Sequence, residues 1–374
     1  MNHRVSRASK TAALQRARRV RATTTGVAIT PCEDDAMERE ICGPVDLCDQ
    51  RGRLNPNARG WSRQPALRAN LSRAYGRKKR WDYWCVIAPD VIVSFVYADI
   101  DYAGLSSVWI LDRTDWAQAD AGTLVPFGRG FSLPEQVCTG TVAASRNGFE
   151  LAIEERSDAT RLRASAPSSR LGAIDVDISV AKPPGHESLN VVIPWSDRRF
   201  QFTSKQNTRP ASGSIRAGER SWEIGDTPAW GVQDLGRGIW PYSNRWNWAS
   251  ASGVAGDGRT IGLQFGGKWT EGTGYTENAL CIDGRLTKLH DELEWSYDWD
   301  EPMAPWRVRS PGSDQVDVTL TPFHDRYDLT DLKLLKMEVH QCFGTWSGHV
   351  CGDDGRPVEL SGIDGFAEEA RNRW

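Results

Sequence analysis

Residues 91–98 read Val-Ile-Val-Ser-Phe-Val-Tyr-Ala, and they are the clearest indication of fold class in the chain. Large apolar side chains occupy positions 91, 93, 95 and 97, which gives a period of two residues. An extended strand places residues with this period on one face, whereas a helix would spread them around its axis. The stretch therefore predicts a β-strand with one wholly apolar face.

Similar short runs recur along the chain and are separated by turn sequences. Asn-Gly and Asp-Gly pairs at 147–148, 257–258, 283–284 and 354–355 supply the positive φ that tight hairpins need. Regularly spaced short strands are typical of antiparallel barrels or sandwiches, so we predict an all-β fold. Helix is scarce, with one short candidate at residues 365–373. The other predicted strands are 105–111, 174–180, 188–195, 199–203, 246–252, 260–265, 315–321 and 333–343.

The length of 374 residues exceeds what one small domain needs, so we expect two packed units or one enlarged barrel. Residues 140–151 and 213–224 share a glycine, a following pair of β-formers and an aromatic-Glu-aliphatic ending. This internal repeat favours two similar β units. We therefore predict a disordered basic arm and lead-in at residues 1–45, a first β-barrel unit at 46–212, and a second at 213–374 that ends in the short helix.

Charge and hydropathy disfavour two classes of partner. The chain has 46 Lys and Arg against 49 Asp and Glu, and seven of the basic residues precede Gly26 with no acidic residue among them. The remainder is therefore distinctly acidic, whereas nucleic-acid binding needs a basic face. The mean hydropathy is −0.51, and no run approaches the ~20 apolar residues of a membrane span. We expect neither nucleic-acid binding nor stable membrane insertion.

Cysteine and signal patterns indicate a cytoplasmic protein with reduced thiols. The eight cysteines are widely scattered, and the stretch after Arg18-Arg19 is too polar for the apolar part of a secretory signal. Two His-x-Cys pairs, at 340–342 and 349–351, would form a zinc site if residues 344–348 were a hairpin turn, but no standard ligand spacing occurs. Phosphate-loop, dinucleotide and serine-elbow motifs are also absent from the sequence. We expect no metal and no cofactor.

Tryptophan is unusually frequent, with 17 residues in the chain. Because a buried indole needs a partner for its N–H, this number favours either a ring-lined cavity or many rigid strand packings. Trp246 and Trp248 share one face of a predicted strand, and Arg237 or Arg245 could hold an acidic ligand group beside them. The alternative is that both rings pack between sheets as ordinary core residues.

Two carboxylate groups are candidate proton donors. Asp99 and Asp101 point the same way on an extended chain, and a pair facing a closed apolar cavity would repel, which raises one pKa and leaves a proton for acid catalysis. If the pair faces water at a strand end, it only caps a turn. Glu277 follows a glycine-rich stretch, which often marks the close approach of a ligand. The alternative for Glu277 is a rim position paired with an arginine.

Six further sequence blocks occur in a defined order. They are Gly-Trp-Ser-Arg-Gln-Pro at 60–65, Lys-Arg-Trp-Asp-Tyr-Trp at 79–84, Asp-Ile-Asp-Tyr-Ala-Gly at 99–104, Arg-Trp-Asn-Trp at 245–248, Thr-Glu-Asn at 276–278 and Gln-Cys-Phe-Gly-Thr-Trp-Ser-Gly at 341–348. Together they resemble a bacterial family known as domain of unknown function 2804. The resemblance runs from about Asp46 to the C-terminus, and the family name implies no activity.

The Trp-x-Trp strand and the closing Gly-rich strands are more distantly similar to the double lipocalin-like (calycin) group, which includes carotenoid hydratases, tocopherol cyclase and certain Diels–Alderases. This resemblance covers the second half of the chain better than the first. It implies two antiparallel barrels packed side by side, with a ligand cavity in or between them. Members of the group add water to prenyl double bonds, cyclise them or promote pericyclisation without a redox cofactor. Only Trp246 and Trp248 carry over as pocket-lining positions.

We therefore expect a cofactor-independent hydratase, cyclase or isomerase that acts by proton transfer on a hydrophobic prenyl, terpenoid or polycyclic small molecule. A lipid or pigment carrier with the same cavity is the first alternative, and a carbohydrate-active protein is the second. The sequence leaves the oligomeric state open. The expected catalytic residues are Glu277, Asp99 and Asp101. The expected substrate-binding residues are Trp61, Trp81, Trp84, Tyr102, Arg237, Trp240, Arg245, Trp246, Trp248, Gln264, Asn278 and Trp346.

Overall fold

Strands make up almost all of the regular structure in the computed structural model, which describes residues 38–331 and 335–374. Within these ranges the only helical element is one 3-10 turn at Pro56–Ala58. The predicted all-β class is therefore confirmed. No helix in the described ranges is long and apolar enough to cross a membrane. Residues 1–37 of the predicted arm lie outside the described residues, as do residues 333 and 334 of the last predicted strand.

The larger sheet comes from the first part of the chain. The strands of this part are β1 (Val45–Asp46), β2 (Trp61–Ser62), β3 (Leu67–Arg68), β4 (Lys78–Ile87), β5 (Val91–Asp99), β6 (Ala103–Asp112), β7 (Gln118–Pro126), β8 (Thr141–Arg146), β9 (Phe149–Glu155), β10 (Ala159–Ala166), β11 (Ile174–Ala181), β12 (Leu189–Ile193), β13 (Phe200–Ala217), β14 (Arg220–Ile224) and β15 (Trp230–Ile239). The main path of the sheet is β7-β6-β5-β4-β15-β13-β11-β10-β9-β8, with β2, β12 and β14 joined beside it. Strands β1 and β3 form a separate parallel pair.

The smaller sheet comes from the last part of the chain. Its strands are β16 (Ser243–Val254), β17 (Thr260–Gly267), β18 (Asn278–Ile282), β19 (Arg285–Leu289), β20 (Glu294–Ser296), β21 (Trp306–Arg309), β22 (Val316–Asp331), β23 (Lys336–Cys351) and β24 (Pro357–Arg373). They pair in the antiparallel order β19-β18-β17-β16-β24-β23-β22-β21-β20. The three longest strands of this sheet, β22 to β24, lie next to one another and form its broad centre.

Each sheet curves around a core of its own. Strands β5 to β7 at one end of the larger sheet lie against β8 and β9 at the other end, so this sheet nearly closes into a barrel. Its interior is filled by side chains such as those of Phe95, Leu162 and Ile178. The smaller sheet wraps around a second core that includes Phe265 and Val318. The predicted arrangement of two barrel-like units side by side is confirmed.

Strands β4 and β5 are buried on both faces because they lie between the first core and the smaller sheet. The side chains at positions 91, 93, 95 and 97 point into the first core, as their period predicts. On the opposite face, Ile92 packs against rings of the smaller sheet, while Val96 and Ala98 line a cavity. A strand with two buried faces has a nearly continuous apolar sequence. This explains why Ser94 is the only residue among 91–98 whose side chain is neither aliphatic nor aromatic.

The helix predicted at residues 365–373 is wrong, because this segment is the second half of strand β24. Its backbone pairs with β16 on one side and with β23 on the other along its whole length. The local sequence Ala-Glu-Glu-Ala favours a helix on intrinsic propensity alone. Backbone hydrogen bonds to two neighbouring strands outweigh that preference of a few tenths of a kcal/mol per residue.

The chain passes from the larger sheet to the smaller sheet at a later residue than the predicted boundary between 212 and 213. Sheet membership changes between Ile239 and Ser243, whereas residues 212 and 213 lie inside β13. The repeated segments at 140–151 and 213–224 form the hairpins β8–β9 and β13–β14, and both hairpins belong to the larger sheet. The repeat therefore reflects two similar hairpins rather than the starts of two units.

Candidate functional site

A cavity of about 270 Å³ lies between the two sheets, and side chains from both sheets line it. The larger sheet contributes β4, β5, β6, β13 and β15, and the smaller sheet contributes β16, β22, β23 and β24. The aliphatic side chains of Val96, Ile100, Leu105 and Val339 form part of the wall. Seven aromatic rings form much of the rest: Trp81, Tyr83, Trp240, Trp246, Trp248, Trp269 and Trp374.

Trp246 and Trp248 lie on one face of β16, as their spacing predicts, and both border the cavity. Trp246 donates its indole N–H to Glu368 Oε1 at 2.8 Å, and Trp248 donates to Gln264 Oε1 at 3.0 Å. An indole has a single hydrogen-bond donor and no acceptor, so each bond orients its ring. The two rings are thereby held in place as one wall of the cavity.

Trp240, also predicted as a binding residue, stands at the centre of a cluster of indole rings. Its ring stacks on that of Trp269 with centroids 5.7 Å apart and planes 14° apart. Edge-to-face contacts at 5.0 and 5.7 Å join it to Trp195 and Trp374, and Trp81 packs at 5.7 Å. Such ring pairs contribute about 0.5–1.5 kcal/mol each beyond their buried area, so this end of the cavity is rigidly packed.

Glu277 brings a carboxyl group to the cavity, and the preceding glycines make room for it. A Cβ atom at Gly266 would lie 2.4 Å from Glu277 Oε2, so β17 needs a glycine at this position. Trp269 donates its indole N–H to Oε2 at 3.2 Å. Burial raises the pKa of Glu277 to about 7, with Lys205 opposing the rise and Asp234 adding to it. The group is therefore poised to exchange a proton near neutral pH.

Lys205 is a buried cation between two carboxyl groups. Its Nζ lies 2.9 Å from Asp234 Oδ1 and 3.1 Å from Glu277 Oε1, and it sits 4.2 Å from the ring centroid of Trp248. Burial by itself lowers the pKa of Lys205, but the two carboxylates raise it above its usual value. Trp81 donates its indole N–H to Asp234 Oδ2 at 3.0 Å. Lys205 and Asp234 therefore form an ion pair beside Glu277.

Glu368 is another carboxyl group in the cavity, and the sequence did not single it out. Its Oε1 accepts the indole N–H of Trp246, and its Oε2 accepts from Gln341 Nε2 at 2.9 Å. Burial raises the pKa of Glu368 to about 7, although the hydrogen bond from Trp246 opposes the rise. Because residues 365–373 were predicted to be a helix, Glu368 was not placed on a strand face with other cavity residues. As a strand with period two, the same segment places Glu368, Ala370 and Asn372 together on the cavity side.

Asp99 and Asp101 lie outside the cavity. Strand β5 ends at Asp99, and Asp101 has a φ of 70° in the following turn, so the two side chains do not continue one strand face. Asp99 Oδ1 accepts the N–H of Asp101 at 2.9 Å, and Arg80 Nη2 lies 2.6 Å from Asp99 Oδ2. Lys78 Nζ lies 3.3 Å from Asp101 Oδ1. The expectation that this pair faces the cavity is therefore not met. The two carboxyl groups cap turns, as the alternative expects, but they are buried rather than facing water.

Three predicted binding tryptophans are also placed away from the cavity lining. Trp84 belongs to the first core and Trp346 to the second. Trp61 packs in the layer between the sheets and donates its indole N–H to the backbone oxygen of Glu38 at 3.0 Å. Aromatic side chains in strands favour core packing as well as cavities, so the sequence pattern did not separate the two positions.

Three other predicted binding residues are engaged elsewhere or face solvent. Arg237 is buried, and its guanidinium donates to Asp82 Oδ1 at 2.7 Å. Arg245 is exposed on the face of β16 opposite the two tryptophans. The Tyr102 hydroxyl accepts a hydrogen bond from Lys79 Nζ at 3.0 Å.

Gln264 and Asn278 stand directly behind the cavity wall rather than on it. Gln264 accepts from the indole of Trp248 and donates to the backbone oxygen of Glu277 at 3.3 Å. Asn278 Oδ1 accepts the backbone N–H of Gly266 at 2.9 Å. The two amides therefore position residues of the site, although the sequence suggested direct contact with a ligand.

The two His-x-Cys pairs cannot meet in one metal site. They lie on the single continuous strand β23, because the chain does not turn at residues 344–348. His340 and His349 are nine positions apart, which is about 30 Å along an extended chain. Among residues 38–331 and 335–374, no group of three or more His, Cys, Asp or Glu side chains could hold a metal ion.

Several solved structures are similar to this chain in overall architecture. CghA in complex with Sch210972 matches with a TM-score of 0.41 at 12% identity, covering 81% of this chain and 90% of CghA. Kievitone hydratase from Nectria haematococca matches with a TM-score of 0.42 at 10% identity, covering 79% and 88%. A Nitrosomonas europaea protein proposed to be AttH matches with a TM-score of 0.43 at 12% identity, covering 78% and 92%. A search of curated proteins found no match.

The sequence itself matches one family model over nearly all of the described chain. That model carries the description "Domain of unknown function (DUF2804)", and the match extends over residues 38–374. The matched range contains both sheets and every residue of the cavity described above. The chain therefore belongs to the DUF2804 family.

Proposed function

We propose that the protein is a proton-transfer enzyme, a hydratase, cyclase or isomerase, whose substrate is a hydrophobic small molecule bound between the two sheets. The observation that carries this proposal is the position of two buried carboxyl groups, Glu277 and Glu368, beside a wall of indole rings. Each has a pKa of about 7, so one can be protonated while the other is ionised near neutral pH. An acid and a base in one apolar cavity meet the requirements of general acid–base catalysis.

A carbon–carbon double bond is the simplest substrate group for this arrangement. Glu277 transfers its proton to one carbon, so that the π bond breaks, a C–H bond forms and the other carbon becomes a cation. The ring faces of Trp246 and Trp248 stabilise positive charge through their π electrons. Aliphatic walls keep bulk water away from the cation and so restrict the groups that can react with it.

The fate of the cation separates the three reactions. In hydration, one bound water adds its oxygen to the cation and passes a proton to Glu368. In cyclisation, a second double bond of the same substrate attacks the cation and closes a ring, and the new cation then loses a neighbouring proton to Glu368 to form a double bond. In isomerisation, a neighbouring carbon loses its proton to Glu368 and a shifted double bond forms. Proton transfer and addition of water leave the overall oxidation level unchanged, so this chemistry needs no redox cofactor.

The alternative functions receive less support from the site. A carrier needs apolar walls but no titratable group, whereas buried carboxyl groups with a pKa near neutrality are typical of catalytic sites. A carbohydrate would place hydroxyl groups against Val96, Ile100 and Leu105, where they would lose their hydrogen bonds to water. The cytoplasmic location stays a prediction.

Incubation of the purified protein with a panel of prenyl, terpenoid and polycyclic compounds tests the proposal. Liquid chromatography with mass spectrometry detects hydration as the mass gain of one water, and cyclisation or isomerisation as a change in retention at constant mass. We expect Glu277→Gln and Glu368→Gln each to lower turnover by at least about 100-fold, the usual contribution of a general acid or base.

Glu369→Gln is the matched control, because Glu369 is also buried but lies on the opposite face of β24, in ion pairs with Lys268 and Arg371. Its turnover should equal that of the wild type. If native mass spectrometry finds compounds bound and all of them return unchanged, the protein is a carrier. If both cavity variants retain wild-type turnover, the acid and base are assigned to the wrong residues.

A further inference from the structure

One end of the cavity presents a buried amide donor without an acceptor. Trp240 donates its indole N–H to Gln201 Oε1 at 2.7 Å. Because an indole N–H can only donate, the amide oxygen of Gln201 must face it, and the Nε2 group must point the other way. Gln201 lines the cavity and is fully buried, yet its Nε2 has no hydrogen-bond partner within residues 38–331 and 335–374.

A second unpaired donor lies at the same end but comes from the other sheet. Trp374 borders the cavity, is only 7% exposed, and packs its ring 5.7 Å from that of Trp240. Its indole N–H has no acceptor in the part of the chain that the structure describes, and the same holds for Nδ2 of the neighbouring Asn372. Buried donors are almost always paired in native proteins, so a set of unpaired donors at one cavity end indicates a ligand acceptor.

The larger sheet is shaped to hold the Gln201 amide in this position. A Cβ atom at Gly238 would lie 2.1 Å from Gln201 Oε1, and one at Gly236 would lie 2.3 Å from Gln201 Nε2. Strand β15 therefore needs glycine at both positions for the amide to lie across it. Because Trp240 binds Oε1 and the two glycines make room for the amide, Gln201 has one orientation. Its unpaired Nε2 donor is therefore held in a fixed position in the cavity wall.

The unpaired donors lie at the opposite end of strands β13 and β24 from Lys205 and Glu368. On β13, Gln201 and Lys205 share the cavity face and are four residues apart, which is about 13 Å along a strand. On β24, Glu368 and Asn372 share the cavity face with the same spacing. On both strands, which belong to different sheets, the charged side chain lies at one end of the cavity and the neutral N–H donor lies at the other.

We infer that the donor end binds a carbonyl oxygen of the substrate. Amide and indole N–H groups are neutral donors that match a neutral acceptor, and two or three of them can surround one carbonyl oxygen. The substrate is then an elongated apolar molecule with a carbonyl group roughly 10–13 Å from the position that receives the proton. That last distance rests on the proposed function, whereas the binding of the oxygen does not.

Binding of two matched probes, undecan-2-one and undecane, tests the inference without turnover. They differ in one carbonyl group, so the ratio of their dissociation constants isolates its interaction with the protein. Isothermal titration calorimetry measures this ratio in the wild type, in Trp374→Phe and in Gln201→Met. We expect the ratio of ketone to alkane dissociation constants to rise about fivefold in each variant, the effect of one lost hydrogen bond.

Trp346→Phe is the control, since its indole N–H is also buried and unpaired among the described residues but belongs to the second core. It should leave the ratio within about twofold of the wild type. If Gln201→Met does not fold, the ratio of dissociation constants in Trp374→Phe and Asn372→Leu tests the inference. An unchanged ratio in the folded variants overturns the inference.

The acid variants separate this outcome from failure of the proposed function. Glu277→Gln and Glu368→Gln should retain the wild-type ratio, because they remove no donor at the far end. If the ratio of ketone to alkane dissociation constants rises as expected but the protein shows no turnover, the proposed enzymatic function is overturned and the carbonyl-binding site is supported. Turnover that depends on both acids, with an unchanged ratio in Trp374→Phe, overturns the oxygen site alone.

Discussion

Replacing Glu368 by glutamine should stabilise the folded protein at pH 8 and change its stability little at pH 5. The two carboxylate oxygens accept from neutral donors, the indole of Trp246 and the amide of Gln341. Burial raises the pKa of Glu368 to about 7, because these bonds replace only part of its hydration. Glutamine keeps the shape and removes the charge. Gln341 can rotate its amide to pair with it, since the neighbouring Tyr83 hydroxyl can either donate or accept.

The magnitude follows from the linkage between proton binding and folding. A carboxyl group with a pKa of 4.5 in the unfolded chain and about 7 in the folded protein binds its proton more tightly when folded. Stability is therefore greatest below pH 4.5 and falls as the pH rises through 7. The full loss is about 3 kcal/mol, of which about 2.5 kcal/mol develops between pH 5 and pH 8. The glutamine variant does not undergo this loss.

Glu369, the next residue along β24, provides a matched control of opposite sign. Burial raises its pKa, but hydrogen bonds and charges from Arg371, Tyr297 and Lys268 outweigh burial and lower it overall. A carboxylate with a lowered pKa stabilises the fold above its ordinary pKa, and this stabilisation is lost as the pH falls. Glu369→Gln should therefore destabilise the protein at pH 8 and do so less as the pH approaches 4.

Urea denaturation of the wild type and both variants, followed by tryptophan fluorescence, measures the free energy of unfolding between pH 5 and pH 8. The gain of Glu368→Gln over the wild type should grow by about 2.5 kcal/mol across this range. The slope with urea should stay unchanged, which shows that the denatured states are comparable. A gain that does not vary with pH, or a variant less stable than the wild type at pH 8, refutes the reasoning about burial.

Three further changes test the packing of the site. Lys205→Met leaves Asp234 and Glu277 without their cation and should cost about 3–5 kcal/mol at pH 7 by urea denaturation, with a smaller cost at pH 5; equal costs at both pH values contradict the charge explanation. Gly266→Ala places a Cβ 2.4 Å from the Glu277 carboxylate and should cost about 1–3 kcal/mol in the same assay; an unchanged stability shows that the carboxylate is not confined there. Ala370→Leu fills the middle of the cavity and should weaken undecan-2-one binding at least about tenfold in calorimetry, and unaltered binding places the ligand elsewhere.

Local sequence patterns were enough to predict several parts of the site. The spacing of Trp246 and Trp248 predicted a shared face, and both rings border the cavity. The glycines before Glu277 predicted the close approach of a ligand; in the structure Gly266 lies against the Glu277 carboxylate, and the approach of a ligand stays a prediction. Each of these inferences depends on the period of one strand or on the size of one side chain. Such properties depend on a few consecutive residues, so they can be predicted without knowing which distant segments pack against the strand.

Other parts of the site depend on segments that the sequence keeps far apart. Lys205, Asp234 and Glu368 meet in the cavity from β13, β15 and β24, and no short-range pattern joins them. From the sequence alone, Asp99 and Asp101 resemble Glu277 as candidate acids. The structure separates them, because the aspartates lie beside Arg80 and Lys78 in a turn outside the cavity, whereas Glu277, next to β18 of the smaller sheet, lines the cavity and is covered by the larger sheet.

The sequence by itself determined the β class of this protein, the direction of its strand faces and the supply of indole rings, because these follow from backbone sterics and a two-residue period. Only the tertiary structure decided that residues 365–373 form a strand, since that choice depends on hydrogen bonds from two distant neighbours. It also decided which carboxyl groups hold a proton near pH 7. Loss of hydration produces that effect, and hydration is lost only where one sheet covers the other.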